Sequence, residues 1–309
     1  MFEPTTIDCQ YLAPQRAAAY LVVDGGEAAF VETNTAKALR LLLGALEARG
    51  LAPDAVRYIV VTHAHLDHAG GASALLERCP EATLLAHPRA VRHLGDPSRL
   101  VQSATAVYGE ERFRAMYGEI APADPARMRA VEDGDLLPFG AGQWHIFHAR
   151  GHANHHLCVQ DVSTGAVFTG DAFGLCYPAL QREGRFFFPS TSPTDFDAEA
   201  ARASVRRIAR DGTRAYLTHF GGADGLEEAA AQLVEHLDQS EAILERAVES
   251  SEPDDHLDAF CRAELLRHYS AWFEAHRRPA TARLFFEKMT LDLDLNAQGL
   301  AHVARRRRQ

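Results

Sequence analysis

Val56-Arg57-Tyr58-Ile59-Val60-Val61 runs straight into Thr62-His63-Ala64-His65-Leu66-Asp67-His68-Ala69-Gly70-Gly71. The first six residues are β-branched or aromatic around a single Arg, and they read as a buried strand. The continuation places three imidazoles and a carboxylate within six positions, and a helix is expected to follow it. At this histidine content, about 0.003 matches to His-x-His-x-Asp-His are expected by chance in the whole chain, so the pattern is treated as a motif. Such groups beside a buried strand need a partner that satisfies them. A divalent cation is that partner, since His and Asp are usual ligands of zinc and of non-haem iron.

Working outward, three more candidates stand just beyond predicted strands. His152 follows the strand 143–149, in Arg150-Gly151-His152-Ala153-Asn154-His155-His156; Asp171 ends Val167-Phe168-Thr169-Gly170-Asp171; His219 ends Tyr216-Leu217-Thr218-His219. Active sites of sheet proteins are commonly assembled at strand ends. Upstream, 17–23 and 28–33 read as a hairpin around Asp24-Gly25-Gly26, and Leu39, Leu42, Leu43 and Leu46 form one face of a helix ending near Gly50. Further strands are expected at 157–162, 166–169 and 214–218. Residues 88–130, rich in Arg, Pro and Gly, read as short helices covering the domain outside its sheet. A cover of that kind is expected to lie beside the cleft and to set which substrates enter. A long helix is expected over 226–248, and Pro253 separates it from a second one.

The order His-x-His-x-Asp-His, Gly-His, Thr-Gly-Asp and a late Thr-His resembles the metallo-β-lactamase-fold hydrolase superfamily over roughly residues 15–225. The resemblance implies an α/β fold, an αββα sandwich with a metal site at one edge of two facing sheets. With the helical cover at 88–130 and the C-terminal helices, the expected organisation is 1–225 as the catalytic domain and 226–309 packed on the same domain. The ligands that the resemblance implies are His63, His65 and His152 at one site and Asp67, His68 and His219 at the other, with Asp171 bridging. Two divalent ions, zinc or alternatively iron or manganese, are the expected cofactors. Asp67 is also expected to act catalytically by orienting the nucleophile. Asp171 stands where true metallo-β-lactamases usually carry Cys, which argues against antibiotic hydrolysis. The glyoxalase II wording around His152 and its basic glutathione patch are missing. Phe-Thr-Gly-Asp and Leu-Asn-Ala-Gln-Gly at 295–299 look most like the broad branch of small metallo-hydrolases.

The rest of the composition narrows the class. The 309 residues carry 32 Lys plus Arg against 42 Asp plus Glu, a formal charge of −10, which lacks the basic footprint of a nucleic-acid binder. The basic run Arg305 to Arg308 reads as a frayed tail. Five widely spaced cysteines without a Cys-x-x-Cys fit neither a disulfide framework nor a thiolate zinc site. No apolar stretch approaches the roughly 20 residues of a membrane span, and the N-terminus lacks the basic start and apolar run of a signal peptide. A cytoplasmic enzyme with a small-molecule substrate is expected, without nucleic-acid or membrane partners and compatible with a homo-oligomer. Its leading reaction is hydrolysis of an ester, thioester or lactone by a metal-bridging hydroxide. The alternative is an iron-dependent persulfide dioxygenase or a diiron oxygen-binding protein of the same fold. Among nearby residues, His155 and His156 are expected outside the ligand shell, and His145 and His148 as packing. Cys176 is expected to be buried, while Phe186-Phe187-Phe188 could serve as core or pocket wall.

Overall fold

The computed structural model describes residues 3–191 and 195–309. Two six-stranded sheets carry most of the sequence up to residue 224. The first has the order β1 (Thr5–Asp8), β2 (Ala18–Asp24), β3 (Glu27–Val31), β4 (Val56–Val60), β5 (Thr83–Ala86), β6 (Met128–Ala130). Strands β3 to β6 are parallel, so their connections are helical. These are α1 (Leu39–Ala48), α2 (Leu66–Ala69), α3 (Ala72–Arg78), α4 (Pro88–Gly95), α5 (Ser98–Tyr108) and α6 (Glu110–Tyr117). The second sheet comprises β7 (Leu136–Phe139), β8 (Gly142–His148), β9 (Leu157–Asp161), β10 (Ala166–Gly170), β11 (Arg214–Leu217) and β12 (Gly221–Ala223), ordered β12-β11-β10-β9-β8-β7.

Alternation along the strands explains the two cores. Ala18, Tyr20 and Val22 of β2, Ala29 and Val31 of β3, and Tyr58 and Val60 of β4 face Trp144, Ile146, Val159 and Phe168 of the second sheet. Their neighbours Ala19, Leu21, Ala28, Phe30 and Ile59 turn the other way and pack on Leu42 and Leu46 of α1 and Leu75 and Leu76 of α3. A strand buried on both faces reads as a continuous apolar run, which is why Val56 to Val61 stands out in the sequence.

The described residues form two compact units. One comprises 1–148, 155–170 and 212–224, and holds both sheets; the other comprises 149–154, 171–211 and 225–309. The second unit is mainly helical, with α7 (Ala198–Asp211), α8 (Leu226–Glu249), α9 (Leu257–Ala275), α10 (Pro279–Lys288) and α11 (Thr290–Arg308). Phe186, Phe187 and Phe188 are core residues here, all buried, and the Phe186 ring lies 4.8 Å from Phe273 and 5.2 Å from Trp272.

Two expectations are corrected. The segment 88–130 does form short helices, but its end, Met128–Ala130, is the edge strand β6. The run Arg305 to Arg308 is no frayed tail, because it lies in the last turn of α11. The Arg308 guanidinium donates to the carbonyls of Ala247, Val248, Ser250 and Glu252. Those carbonyls end α8 or follow it, and final-turn carbonyls lack intrahelical donors and attract cations.

Candidate metal centre

Every ligand expected from the sequence follows a strand. His63, His65, Asp67 and His68 come after β4, His152 after β8, Asp171 immediately after β10 and His219 two residues past β11. The loop after β4 is held by the loop after β3. The backbone N–H and hydroxyl of Thr33 donate to the His68 carbonyl at 3.0 and 2.8 Å, and the Asn34 amide donates to the Asp67 carbonyl at 2.9 Å. Gly71 permits this approach, since a Cβ there would stand 2.8 Å from the carbonyl oxygens of both Thr33 and Thr35.

Within the first unit, five of the expected ligands come together. His63 Nε2 lies 2.9 Å from His65 Nδ1. Asp67 Oδ2 is 3.6 Å from His219 Nε2 and 3.8 Å from His68 Nε2. One ligand atom each from Asp67, His68 and His219 falls within 4.8 Å of the other two, and the same holds for Glu32, His63 and His68. The other two expected ligands lie together in the second unit, with His152 Nε2 3.5 Å from Asp171 Oδ2.

The tautomers follow from the acceptors. His219 Nδ1 lies 2.6 Å from the Arg16 carbonyl and His152 Nδ1 lies 3.1 Å from the Ser190 carbonyl. A carbonyl only accepts, so each Nδ1 carries the hydrogen and each Nε2 is the lone-pair atom. His68 Nδ1 donates to Glu32 Oε1 at 3.0 Å. His63 Nδ1 donates at 3.1 Å to the Thr62 hydroxyl, which itself donates to Glu32. Four imidazoles thus have Nδ1 tied to oxygen and present Nε2, the usual second-layer support of metal-binding histidine. The donor set fits a divalent cation.

Glu32 escaped sequence reasoning. It is 1% exposed, and its Oε1 accepts from His68, Thr62 and Thr218. Through these contacts Glu32 orients His68 directly and His63 through the Thr62 hydroxyl. The sequence offered one hint, an acid closing the apolar run Ala28 to Val31.

His155 and His156 lie against the cluster. The ring of His156 stacks 4.9 Å from His63, and that of His155 stands 5.8 Å from His65. Gly170, at φ +51°, allows this packing, because a Cβ would fall 2.6 Å from His156 Nε2 and 2.5 Å from the Thr62 hydroxyl. Cys176, expected to be buried, is only partly so; desolvation still pushes its thiol up to about 12, so it is no thiolate nucleophile at neutral pH.

A family model described as the metallo-beta-lactamase superfamily matches residues 13–219. The chain belongs to the metallo-β-lactamase superfamily. Its fold is the α/β sandwich of that superfamily, with a helical C-terminal region. A metallo-β-lactamase fold-containing protein of Sulfurisphaera tokodaii is 28% identical over 158 residues, 50% of this chain and 56% of that protein. The acyl-coenzyme A thioesterase MBLAC2 of Gallus gallus is 29% identical over 116 residues, 36% of this chain and 40% of that protein. The matches therefore span only about half the length of these curated relatives. A solved metallo-β-lactamase family protein from Thermus thermophilus superposes with a TM-score of 0.65 at 21% identity, covering 99% of this chain and 93% of that one. At that identity the likeness speaks for the fold alone. No helix among the described residues is long and apolar enough to cross a membrane.

Proposed function

We propose that the protein is a dinuclear metal-dependent hydrolase acting on an ester, thioester or lactone. The observation that carries the reading is the support of the histidines, four Nδ1 atoms tied to oxygen with Nε2 as the ligand atom of each ring. His63, His65 and His152 are assigned to one ion, Asp67, His68 and His219 to the other, and Asp171 to both. When bound, paired divalent ions supply a hydroxide at neutral pH and polarise the scissile carbonyl. Glu32 fixes the rings of His63 and His68, directly or through Thr62. Asp67, as a carboxylate beside His68 and His219, orients the attacking water and passes its proton to the leaving group. The thioester option draws support from the MBLAC2 relatives, named as acyl-coenzyme A thioesterases in Gallus gallus and in Homo sapiens at 29% and 28% identity. Zinc is the assigned metal, and the substrate is a small molecule.

The test pairs metal content with a substrate panel. Elemental analysis of metal-replete protein should give about two ions per chain, because the ligand set exceeds one tetrahedral site. Metal-dependent turnover should appear on at least one ester, thioester or lactone and disappear on chelation. One iron per chain with oxygen uptake and no hydrolysis would replace this reading with the iron-dependent one.

A further inference from the structure

The stretch Leu295-Asn296-Ala297-Gln298-Gly299 lies inside α11, which places an asparagine amide in a helix interior. Asn is a poor helix former, because its side chain competes for backbone groups, and Asn296 is only 3% exposed. A buried amide needs partners for both of its polar atoms. Asn296 finds them in one short piece of chain, Pro189-Ser190-Thr191. Its Oδ1 accepts the Thr191 backbone N–H at 2.8 Å, and its Nδ2 donates to the Pro189 carbonyl at 2.9 Å. The Thr191 hydroxyl donates in turn to the Asn296 carbonyl at 3.0 Å.

What this grip holds is the acceptor of His152. The Ser190 carbonyl and the Thr191 N–H belong to one planar peptide group, and in a trans peptide the two point in opposite directions. On one side the Thr191 N–H meets Asn296 Oδ1; on the other the Ser190 carbonyl accepts from His152 Nδ1 at 3.1 Å. The hydrogen bonds therefore run from the helix through a single rigid group to the imidazole, and bonds in such a chain strengthen one another. The bond from Nδ2 fixes the preceding peptide as well, so both peptides flanking Ser190 are held. The ring is left with Nε2, 3.5 Å from Asp171 Oδ2.

A second anchor stands one turn earlier on α11. The Tyr177 hydroxyl donates to Asp292 at 2.8 Å, and positions 292 and 296 are neighbours on a helix surface. Leu175 and Phe188 exchange backbone hydrogen bonds at 2.8 and 3.2 Å. They tie the arm that starts at Asp171 to the arm that ends at Ser190, so one face of α11 grips both.

Resting on the assignment of His152 as a metal ligand, we propose that Asn296 is a positioning residue for it. Through the Ser190–Thr191 peptide, Asn296 keeps the His152 hydrogen on Nδ1 and leaves the Nε2 lone pair to the ion.

The test uses the full chain in two states. In metal-free protein with neutral imidazoles, long-range proton–nitrogen NMR reads the tautomer of His152, whose signal is identified by its loss in His152→Ala. Wild-type protein should carry the hydrogen on Nδ1 alone. Asn296→Leu, close in volume but without polar side-chain atoms, should show a mixture of tautomers. In zinc-loaded protein the same substitution should weaken one bound ion about tenfold, the lower end of what losing a supporting group costs, as read by competition with a chromophoric chelator. Thr191→Val removes only the hydroxyl bond to α11 and leaves the peptide relay intact. It should keep the wild-type tautomer and zinc affinity. Asn296→Ala, well suited to a helix, is the second variant if Asn296→Leu fails to fold. A His152 ring that is mixed or carries its hydrogen on Nε2 in the wild type overturns the inference, as does wild-type behaviour in the Asn296 variants. Equal losses in Asn296→Leu and Thr191→Val overturn it too, because they would mark a contact that merely docks α11. His152→Ala separates the inference from the ligand assignment. Retention of both ions there, with the tautomer still dependent on Asn296, overturns the assignment and not the positioning. Loss of an ion there, beside wild-type behaviour in Asn296→Leu, overturns the positioning and not the assignment.

Discussion

Glu32 shows how far a residue's role can lie from its sequence neighbourhood. Its hydrogen-bond partners Thr62, His68 and Thr218 are 30, 36 and 186 positions away. The positions assigned as ligands, by contrast, were legible, because each follows a recognisable strand and four of them share one six-residue motif. No local pattern announces an acid whose partners come from the segments that follow β4 and β11. The physical consequence can be measured. Glu32→Gln keeps the shape but removes the charge that holds the His68 Nδ1 hydrogen. Metal affinity is expected to drop by about 10–100-fold, the usual cost of losing such a supporting carboxylate, as read by competition with a chromophoric chelator. An unchanged affinity would remove Glu32 from the site's design. The ligand assignment has its own contrast. Asp171→Ala should lose metal and activity together, whereas His155→Ala, whose ring flanks His65 and whose Nδ1 accepts from the Ala64 N–H, should retain most of its metal. Equal metal loss in the two variants would mean that the ligand shell has been drawn in the wrong place.

Elements were legible where burial imposes a period and obscure where it does not. Strands β2, β3, β4, β9 and β10 are mostly buried and announce themselves as apolar runs. The edge strands β1, β6 and β12 have three or four residues each, too few for alternation to show. Helix α8 was visible as a stripe from Leu226 onward, whereas α9 was expected only from the break at Pro253 and shows no stripe of its own. Part of what α9 buries is aromatic and histidine contact, which ordinary hydrophobic periodicity undercounts. The ring of His236 on α8 lies 5.1 Å from both Tyr269 and Trp272 of α9, and its Nδ1 is 2.8 Å from His268 Nε2. Burial lowers the pKa of His236 well below the ordinary imidazole value, helped by His268 and His276. His268 is lowered too, by burial, against an opposing pull from Glu235. Both rings are therefore neutral in the folded chain and take up protons only in the unfolded one as pH falls below about 6.5. The stability they permit is complete above that value and is lost as pH drops toward their folded values, by at most about 1.4 kcal/mol per pH unit for each ring. Melting temperature of chelated protein should thus decline between pH 7.5 and 5.5. His236→Gln, which does not titrate, should decline less steeply. Identical slopes for both proteins would show that the pair carries no proton linkage.

At the scale of the molecule, composition indicated a globular chain, while the α/β class came from the order of strands and helices and from the motif resemblance. The division into two compact units was not legible, because the second is assembled from three separate stretches of sequence. Contacts between distant stretches leave no boundary composition to read. The same scale decides what the metal does for stability. In small metal-binding domains the ion is the folding energy, and chelation unfolds them. Here the first unit contains two large apolar clusters, among them fully buried Tyr20, Phe30, Trp144 and Phe168. Each large side chain of that kind contributes roughly 1.5–3 kcal/mol on burial, so a few of them already match the contribution of a bound ion. An ion that binds only the folded chain adds about 4 kcal/mol when present at a thousand times its dissociation constant. Stripping the metal should therefore lower the melting temperature by several degrees or more while the far-ultraviolet circular dichroism at 25 °C stays that of a folded α/β protein. Zinc added back should restore the original transition. Asp171→Ala, lacking an assigned ligand to both ions, should start near the chelated value and respond little to zinc. Loss of the folded spectrum on chelation would mean that the ions hold the fold itself, and an unmoved transition would mean that the cluster binds no ion with useful affinity.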